Sequence, residues 1–324
     1  GTGTYEVTDI LPTGKYNVNA TLNVPNYNTM FANTSFNIMN NIGSFNINVK
    51  NITYGSSFII NITNATGTNG KPLNGTVNTT INNYSYSFNI KNGTGTYEVT
   101  DILPTGKYNV SALLIVPNYD MIFADTSFSI DKVNAKFVNA TSGTVYNGNY
   151  YKVYLIDNSG KALASQNVTI KIASKNYTIK TDKNGLAKVK LGLENKYLNK
   201  SLTVSYNFVG DETIKGDTGS SKIKVIKTPT VIINASKLVV KNHKYIYVKL
   251  TTKTGKVLAN KVITMKSSVS NKTYKMKTNS KGIAKTDLWV KVRPLNKYYK
   301  YTFKYEGDNY YSPYQKTFKI KVVK

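Results

Sequence analysis

Residues Tyr151 to Leu191 read YKVYLIDNSGKALASQNVTIKIASKNYTIKTDKNGLAKVKL, and this segment shows the strand pattern of the chain most clearly. Its apolar residues alternate with Lys, Thr or Asn, as in Val168-Ile170-Ile172. A period of two places the apolar side chains on one face of a β-strand and the polar ones on the other. Ser-Gly and Asn-Gly turn signals separate the runs at hairpin spacing. The segment therefore predicts short antiparallel strands with one buried face.

The same pattern continues on both sides of this segment. Leu202-Val204-Tyr206, Ile246-Val248-Leu250 and Phe318-Ile320-Val322 alternate in the same way, and no stretch has a clear helical period. About seven short strands for every ~95 residues are typical of a sandwich of two antiparallel sheets. We therefore predict an all-β chain of tandem immunoglobulin-like β-sandwich domains in an elongated array.

Internal repeats predict the domain boundaries. Residues 1–38 recur as residues 93–130 with 30 of 38 positions identical, and TDKNGLAK at 181–188 matches TNSKGIAK at 278–285. Repeats of this kind indicate one structural unit used several times. We predict domains at 39–130, 131–226 and 227–324. Residues 1–38 correspond to the C-terminal half of a repeat, which is either truncated or completed in trans by another subunit.

Positive charge is concentrated toward the C-terminus. The 324 residues carry 43 Lys+Arg and 16 Asp+Glu, a net charge of +27. The net charge is −1 in residues 1–38, zero in 39–130, +8 in 131–226 and +20 in 227–324, so the last domain is strongly basic. Arg293 is the only arginine. Because lysine is a solvated point charge rather than a planar fork for bases and phosphates, specific nucleic-acid binding is not expected.

Residues for catalysis and cofactor binding are scarce. The chain has no cysteine and one histidine, His243, which excludes disulfides and cysteine-based metal sites. Asp157 and Asp182 precede Ser-Gly and Asn-Gly, where an acid belongs to ordinary turn chemistry more than to a calcium site. We predict no enzyme activity, no cofactor and no metal site. No apolar run reaches 18 residues, so no transmembrane segment is expected.

The repeated motifs resemble bacterial and archaeal Ig-like repeat families of long surface proteins, and the Asn-, Lys- and Tyr-rich composition is similar to adhesin-like proteins of methanogenic archaea. The residues that carry this resemblance are Asp157, Gly160, Lys161, Leu163, Val168, Ile170, Thr181, Asp182, Gly185, Ala187, Tyr305, Gly307, Asp308 and Tyr311. The resemblance implies an extracellular protein at the cell surface or cell wall, in which such domains mostly serve as stalks.

Sixteen N-x-[Ser/Thr] sequons are candidate N-glycosylation sites. Alternating Asn and Thr on a polar strand face, or an AT-rich genome, would also produce the pattern without modification. Mass spectrometry of the native protein decides between these readings. The asparagines are Asn19, Asn33, Asn51, Asn61, Asn64, Asn74, Asn78, Asn83, Asn92, Asn109, Asn139, Asn167, Asn176, Asn199, Asn234 and Asn271.

Basic residues of the last domain are candidate contacts for an anionic polymer such as an acidic glycan. The alternative is a solvated sheet face, because lysine alternates with apolar residues in half-buried strands and protects edge strands. The candidates are Lys275, Lys277, Lys281, Lys285, Lys291, Arg293, Lys297, Lys300 and Lys304. Tyrosines of the same domain, among them Tyr310 and Tyr311, either form a platform for sugars or belong to the core.

We therefore expect a non-enzymatic, adhesin-like stalk. One alternative is that the basic C-terminal domain binds acidic glycan or cell wall, and another is a surface filament assembled by strand complementation. A wall-active enzyme with its catalytic domain outside this segment is a further hypothesis. The expected partners are cell-wall, host or partner-cell glycans or surface proteins, together with neighbouring copies of the same chain.

Overall fold

A computed structural model describes residues 1–9, 11–236, 238–288 and 294–324, and gives only the backbone of Ser270 and Asn271. The regular structure of these residues is β-strand, apart from one short 3-10 turn at Asn195–Tyr197. This confirms the all-β prediction. Within the described ranges, no helix is long and apolar enough to cross a membrane.

The first residues form a two-stranded antiparallel hairpin. Its strands are β1 (Gly14–Leu22) and β2 (Met30–Ile38), and Gly14 pairs with Ile38. Tyr16 packs on Phe36 at 5.5 Å between ring centroids, and its hydroxyl donates to the carbonyl of Pro12 at 2.7 Å. The hairpin is a sheet of its own.

The next strands form a complete sandwich of two sheets. The strands are β3 (Gly43–Val49), β4 (Ile52–Thr53), β5 (Phe58–Gly67), β6 (Gly75–Ile81), β7 (Tyr84–Ile90), β8 (Gly95–Val99), β9 (Gly106–Ile115) and β10 (Ile122–Asp131). One sheet has the order β3-β5-β8 and the other the order β4-β10-β9-β6-β7. Apolar side chains from both sheets, including Ile60, Ile62, Val77, Val110 and Leu114, form a common core.

A second set of strands repeats this arrangement. The strands are β11 (Val133–Val138), β12 (Gly143–Tyr146), β13 (Tyr150–Asp157), β14 (Asn167–Ile172), β15 (Lys175–Lys180), β16 (Leu186–Lys190), β17 (Ser201–Gly210) and β18 (Ile214–Ile226). Their order is β15-β14-β17-β18-β11-β13-β16, with β12 paired to β18. The long strand β18 thus joins the layer β11-β13-β16 to the layer β12-β18-β17-β14-β15.

The last set of strands has two separate sheets. The strands are β19 (Thr230–Asn234), β20 (Val239–Lys241), β21 (Lys244–Thr252), β22 (Val262–Ser267), β23 (Ser270–Lys277), β24 (Ile283–Leu288), β25 (Lys297–Tyr305) and β26 (Tyr314–Val323). The sheets have the orders β19-β21-β24 and β20-β26-β25-β22-β23. Ile246, Val248, Phe303 and Ile320 lie in the core between them.

The three sandwiches share one topology. In each, a short strand (β4, β12 or β20) pairs in parallel with the last strand of the set, whereas longer neighbours such as β9 and β10, β14 and β15, or β25 and β26 pair antiparallel. Two packed antiparallel sheets of this size are the immunoglobulin-like architecture, which confirms the fold class. By compactness the chain divides into a first unit of residues 1–133 and 211–215 and a second unit of residues 134–210 and 216–324.

Two buried threonines connect turns in the same way in successive sandwiches. The Thr278 hydroxyl donates to the carbonyl of Leu258 at 2.7 Å and accepts from the N–H of Lys261 at 2.9 Å. Ninety-seven positions earlier, Thr181 makes the corresponding bonds, at 2.7 Å to the carbonyl of Leu163 and 2.9 Å from a backbone N–H. The repeated sequence therefore preserves a specific buried contact as well as a strand pattern.

A lysine-rich sheet face as the candidate functional site

Several predicted anion contacts lie together on one face of the sheet β20-β26-β25-β22-β23. Lys300 pairs directly with Lys319, and Thr264 pairs with both Lys304 and Lys275. Directly paired residues share a face of a sheet, as do residues two positions apart. The lysines that β22, β23, β25 and β26 place on this surface, which we name the lysine face, are Lys266, Lys275, Lys277, Lys300, Lys304, Lys319 and Lys321.

The lysine face has little compensating negative charge. Lys304 forms an exposed ion pair with Glu306 at 2.8 Å. Within the described part of the chain, the other six lysines of the face form no ion pair. Like charges directly opposite one another, such as Lys300 and Lys319, destabilise a sheet. The face therefore carries an excess of positive charge that the protein itself does not neutralise.

A shallow depression lies in the middle of the lysine face. Its volume is about 540 Å³, and its lining includes Lys266, Lys300, Lys319, Thr302 and Thr317. The two threonine hydroxyls are 2.8 Å apart across the strand pair. Ammonium and hydroxyl groups at this spacing offer hydrogen-bond donors to a carboxylate, sulfate or phosphate group.

Not all of the predicted contacts belong to this face. Lys281 lies in the turn before β24, and Lys285 lies on β24 in the other sheet, 4.6 Å from the ring centroid of Tyr245. Lys297 is exposed at the start of β25. Lys291 and Arg293 lie outside the described residues. Sequence analysis missed Lys266, Lys319 and Lys321, which have the same alternating pattern as the lysines that it selected.

One lysine of this domain has a structural role instead. Lys261 Nζ lies 2.6 Å from Asp308 Oδ2, and the Tyr305 hydroxyl donates to the same oxygen at 3.1 Å. Burial by itself raises the pKa of Asp308, but the bond from Lys261 and the N–H groups of Tyr310 and Tyr311 outweigh it and hold the pKa below its ordinary value. Asp308 therefore stabilises the turn in its ionised form.

Each turn acid accepts hydrogen bonds from its own turn through one carboxylate oxygen. Asp182 Oδ1 accepts from the N–H groups of Asn184 and Leu186 at 2.8 and 3.0 Å. The equivalent Asn279 Oδ1 accepts from residues 281 and 283 at 2.9 and 3.0 Å. Because an uncharged amide replaces the carboxylate with the same bonds, the turn does not require a negative charge. Among the described residues, no three His, Cys, Asp or Glu side chains are placed to hold a metal ion.

Most sequon asparagines are accessible. Of the fifteen whose side chains are described, thirteen are exposed, whereas Asn61 and Asn234 are half-buried. Asn234 Oδ1 accepts from the N–H and hydroxyl of Ser236 at 3.1 and 3.3 Å. Its Nδ2 is buried without a partner in the described part of the chain. The side chain of Asn271 is outside the description. Modification of these sites stays a prediction.

Comparisons with known proteins give weak similarities only. No protein-family model matches the chain, and no curated protein matches it. Solved structures with similar strand arrangements include a bacterial ice-binding adhesin (16% identity, TM-score 0.29, covering 86% of this chain and 98% of that one). Others are Sidekick-1 immunoglobulin domains 1–5 (11%, 0.39, 96% and 66%) and titin domains A168–A170 (10%, 0.37, 88% and 100%). Identities and TM-scores this low assign no family and no activity.

Proposed function

We propose that this chain is part of a non-enzymatic, adhesin-like stalk at the cell surface, in which residues 39–130, 131–226 and 227–324 act as successive spacers. The observation that carries the proposal is the recurrence of one sandwich topology with its own core in each of these segments. Units that each bury their own core are suited to a tandem array, since their stabilities are close to additive along it. The proposal also includes an origin in a methanogenic archaeon and a location at the cell wall.

X-ray scattering of the whole chain tests the stalk proposal. We expect a radius of gyration clearly above the ~20 Å of a compact protein of this length, with a maximum dimension on the order of 100 Å from strands of ~3.4 Å per residue. Scattering that matches a compact particle would refute the stalk proposal. It would leave any binding surface to be tested separately.

The second candidate function is attachment to an acidic glycan or cell-wall polymer through the lysine face. It is favoured by the seven lysines on one sheet face, of which six form no ion pair in the described part of the chain. We expect the K300S/K319S variant to be retained less than the parent chain on immobilised polygalacturonate, and added salt to weaken the retention of the parent.

A matched control is available in another sandwich. Lys152 pairs directly with Lys188 on β13 and β16, so K152S/K188S removes the same charge from the same kind of pair. Equal loss of retention by both variants would show that net charge alone is responsible. Retention that does not respond to salt would contradict an electrostatic attachment.

The third candidate is assembly with a second copy through the apolar face of the hairpin β1-β2. Val18 is 41% exposed, whereas its equivalent Val110 is fully buried. Leu22 and Phe36 are exposed too, although the matching Leu114 and Phe128 are buried. Exposed apolar strand faces promote association, and this repeat elsewhere covers the same face with the sheet β3-β5-β8.

The hairpin cannot take the place of its duplicate β9-β10 in the same chain. Gly43 lies beside Ile122, whereas Ile52 pairs with Ile130 at the other end of β10. If β2 took the place of β10, Ile38 would lie at the position of Ile130 while Gly43 stayed beside the position of Ile122. These two positions are ~27 Å apart along the strand, but the five residues from Ile38 to Gly43 span at most ~18 Å. In a second copy of the chain, the sheet that would cover the hairpin is not tied to it by this short connection. A monodisperse monomer in multi-angle light scattering would contradict the assembly.

A further inference from the structure

Within the second compact unit, a fixed joint connects the sandwich β11–β18 to the sandwich β19–β26. Asn147 is 3% exposed, and its Nδ2 donates to the carbonyls of Leu193 and Asn309, each at 2.9 Å. The backbone of Thr228 bonds to Tyr310 and Ser312 at 2.8 and 2.9 Å. The bond from Asn147 to Asn309 crosses from one sandwich to the other, and the Thr228 bonds attach the linker to the second sandwich, so together they hold the surfaces beside them in a defined arrangement.

A cleft of about 610 Å³ opens at this joint. One wall includes Tyr146, Asn149 and Lys190 from the first of the two sandwiches, and the opposite wall is the turn 252–256 of the second. Tyr310, which is 40% exposed, also lines the cleft. The volume lies in the range of small-ligand sites, which favour positions between domains.

The cleft is positively charged. Lys190, Lys253 and Lys256 line it, and none of the described lining residues is an acid. The three lysines are exposed and form no ion pair with any described residue. Lys190 is at the end of a strand, and Lys253 and Lys256 are in a turn. The alternation of lysine with apolar residues along a half-buried strand therefore does not explain why the three lie together.

The turn carries a hydroxyl where its counterpart carries an acid, and it keeps two of the three hydrogen bonds of that acid. Ninety-five positions earlier, the corresponding turn begins at Asp157, whose Oδ1 accepts from the N–H of Lys161 at 2.8 Å and from Ser159 Oγ at 2.6 Å. In the cleft, Thr252 Oγ1 accepts from the N–H of Lys256 at 3.1 Å and lies 2.9 Å from a second hydroxyl.

The sequence changes at this turn make it more positive by two charges. Thr252 replaces Asp157, and Lys253 stands where the earlier turn has Asn158. The hydroxyl makes two of the three bonds that the carboxylate makes, so the turn keeps its shape without the negative charge. The change is located where the turn lines the cleft.

We propose that this cleft binds an acidic sugar unit, a hexuronate or similar carboxylate-bearing saccharide. The three lysine ammonium groups face the carboxylate, the Tyr310 ring supplies an apolar surface for the sugar ring, and Asn149 and Thr254 offer partners to its hydroxyls. The inference deepens the proposed attachment function, but its site contains none of the residues of the lysine face.

Titration calorimetry of the whole chain with tetragalacturonic acid tests the site, with uncharged maltotetraose as the control sugar. We expect saturable binding of the acid that weakens with salt, and no binding of maltotetraose. K253S/K256S should bind at least about tenfold more weakly, in line with the loss of charge-assisted hydrogen bonds. K253E should abolish binding. Both changed lysines are exposed, so the fold should be retained, which circular dichroism checks.

K300S/K319S is the matched control, because it removes two exposed lysines from the lysine face and none from the cleft. Unchanged affinity in this variant supports the cleft. Absence of binding to the parent chain, equal binding in K253S/K256S, or a loss confined to K300S/K319S would overturn it. A loss confined to K300S/K319S would still support attachment through the lysine face. The stalk proposal is tested independently by X-ray scattering.

Discussion

The side-chain amide of Asn147 donates a hydrogen bond to the backbone carbonyl of Asn309 at 2.9 Å, across the joint between two sandwiches of the second unit. The same side chain donates to the carbonyl of Leu193 and accepts from its N–H, each at 2.9 Å. One buried amide therefore satisfies three backbone groups from two sandwiches. Such a residue stabilises the arrangement of the domains as well as the fold of one of them.

We expect Asn147→Ala to lower the free energy of unfolding by about 1–3 kcal/mol, because buried backbone groups lose their partner. The joint should also become more susceptible to limited proteolysis near Thr228. Urea denaturation and protease digestion measure the two effects. Asn149→Ala, at an exposed position two residues away, should change neither, and equal behaviour of the two variants would show that the bridge is unimportant.

Thr278→Val removes a buried hydroxyl and keeps the side-chain shape. The carbonyl of Leu258 and the N–H of Lys261 then lose their partner, so the domain should be destabilised by about 1–3 kcal/mol. Thr181→Val should cost about as much, since its bonds are equivalent. Chemical denaturation of both variants beside the exposed Thr273→Val is the measurement. Wild-type stability in Thr278→Val would contradict the role of the hydroxyl.

We expect the folded protein to lose stability in acid because of the Asp308 carboxylate. Because its pKa is lower in the folded state than in the unfolded chain, its stabilisation is complete above the unfolded pKa and disappears as the pH falls through the folded pKa. This window lies below about pH 4. Asp308→Asn should be less stable at neutral pH and decline less in acid. Thermal melts between neutral pH and pH 2 measure it, and parallel declines would refute the prediction.

The tyrosine at the start of β9 fixes the preceding loop to the sandwich. The Tyr108 hydroxyl donates to the carbonyl of Pro104 at 2.7 Å, and Tyr299 bonds to Pro294 in the same way. Tyr108→Phe should cost about 0.5–1.5 kcal/mol of unfolding free energy, the usual value of one such bond. Tyr84→Phe, at an exposed ring, is the control. A cost as large in the control would point to a general effect of the lost hydroxyl.

We expect glycosylation to depend on the position of the sequon. We expect glycans at exposed asparagines such as Asn83 and Asn176 and an unmodified side chain at Asn234, whose oxygen is engaged by Ser236 and whose nitrogen is buried. Peptide mapping by mass spectrometry of protein from the native cell measures occupancy. A glycan on Asn234 would show that its side-chain contacts do not prevent modification. Unmodified asparagines throughout would refute N-glycosylation of this protein.

The candidate site was partly visible in the sequence. Alternation places Lys275 with Lys277 on one strand face and Lys300 with Lys304 on another, because the pleat repeats every two residues. It does not show that these strands belong to one sheet, nor that Lys319 lies opposite Lys300. Lys285 has the same local pattern and lies on the other sheet. Which lysines share a sheet is determined by the pairing of strands that are far apart in the sequence.

The sequence by itself determined the all-β class and the repeated strand pattern, because alternation and turn residues act over a few positions and one repeat copies them into the next. The tertiary structure decided which surfaces those strands form. The lysine face depends on the pairing of β22, β25 and β26, and the cleft depends on the joint that Asn147 holds between two sandwiches. Both arise from contacts between residues far apart in the chain, which no local periodicity encodes.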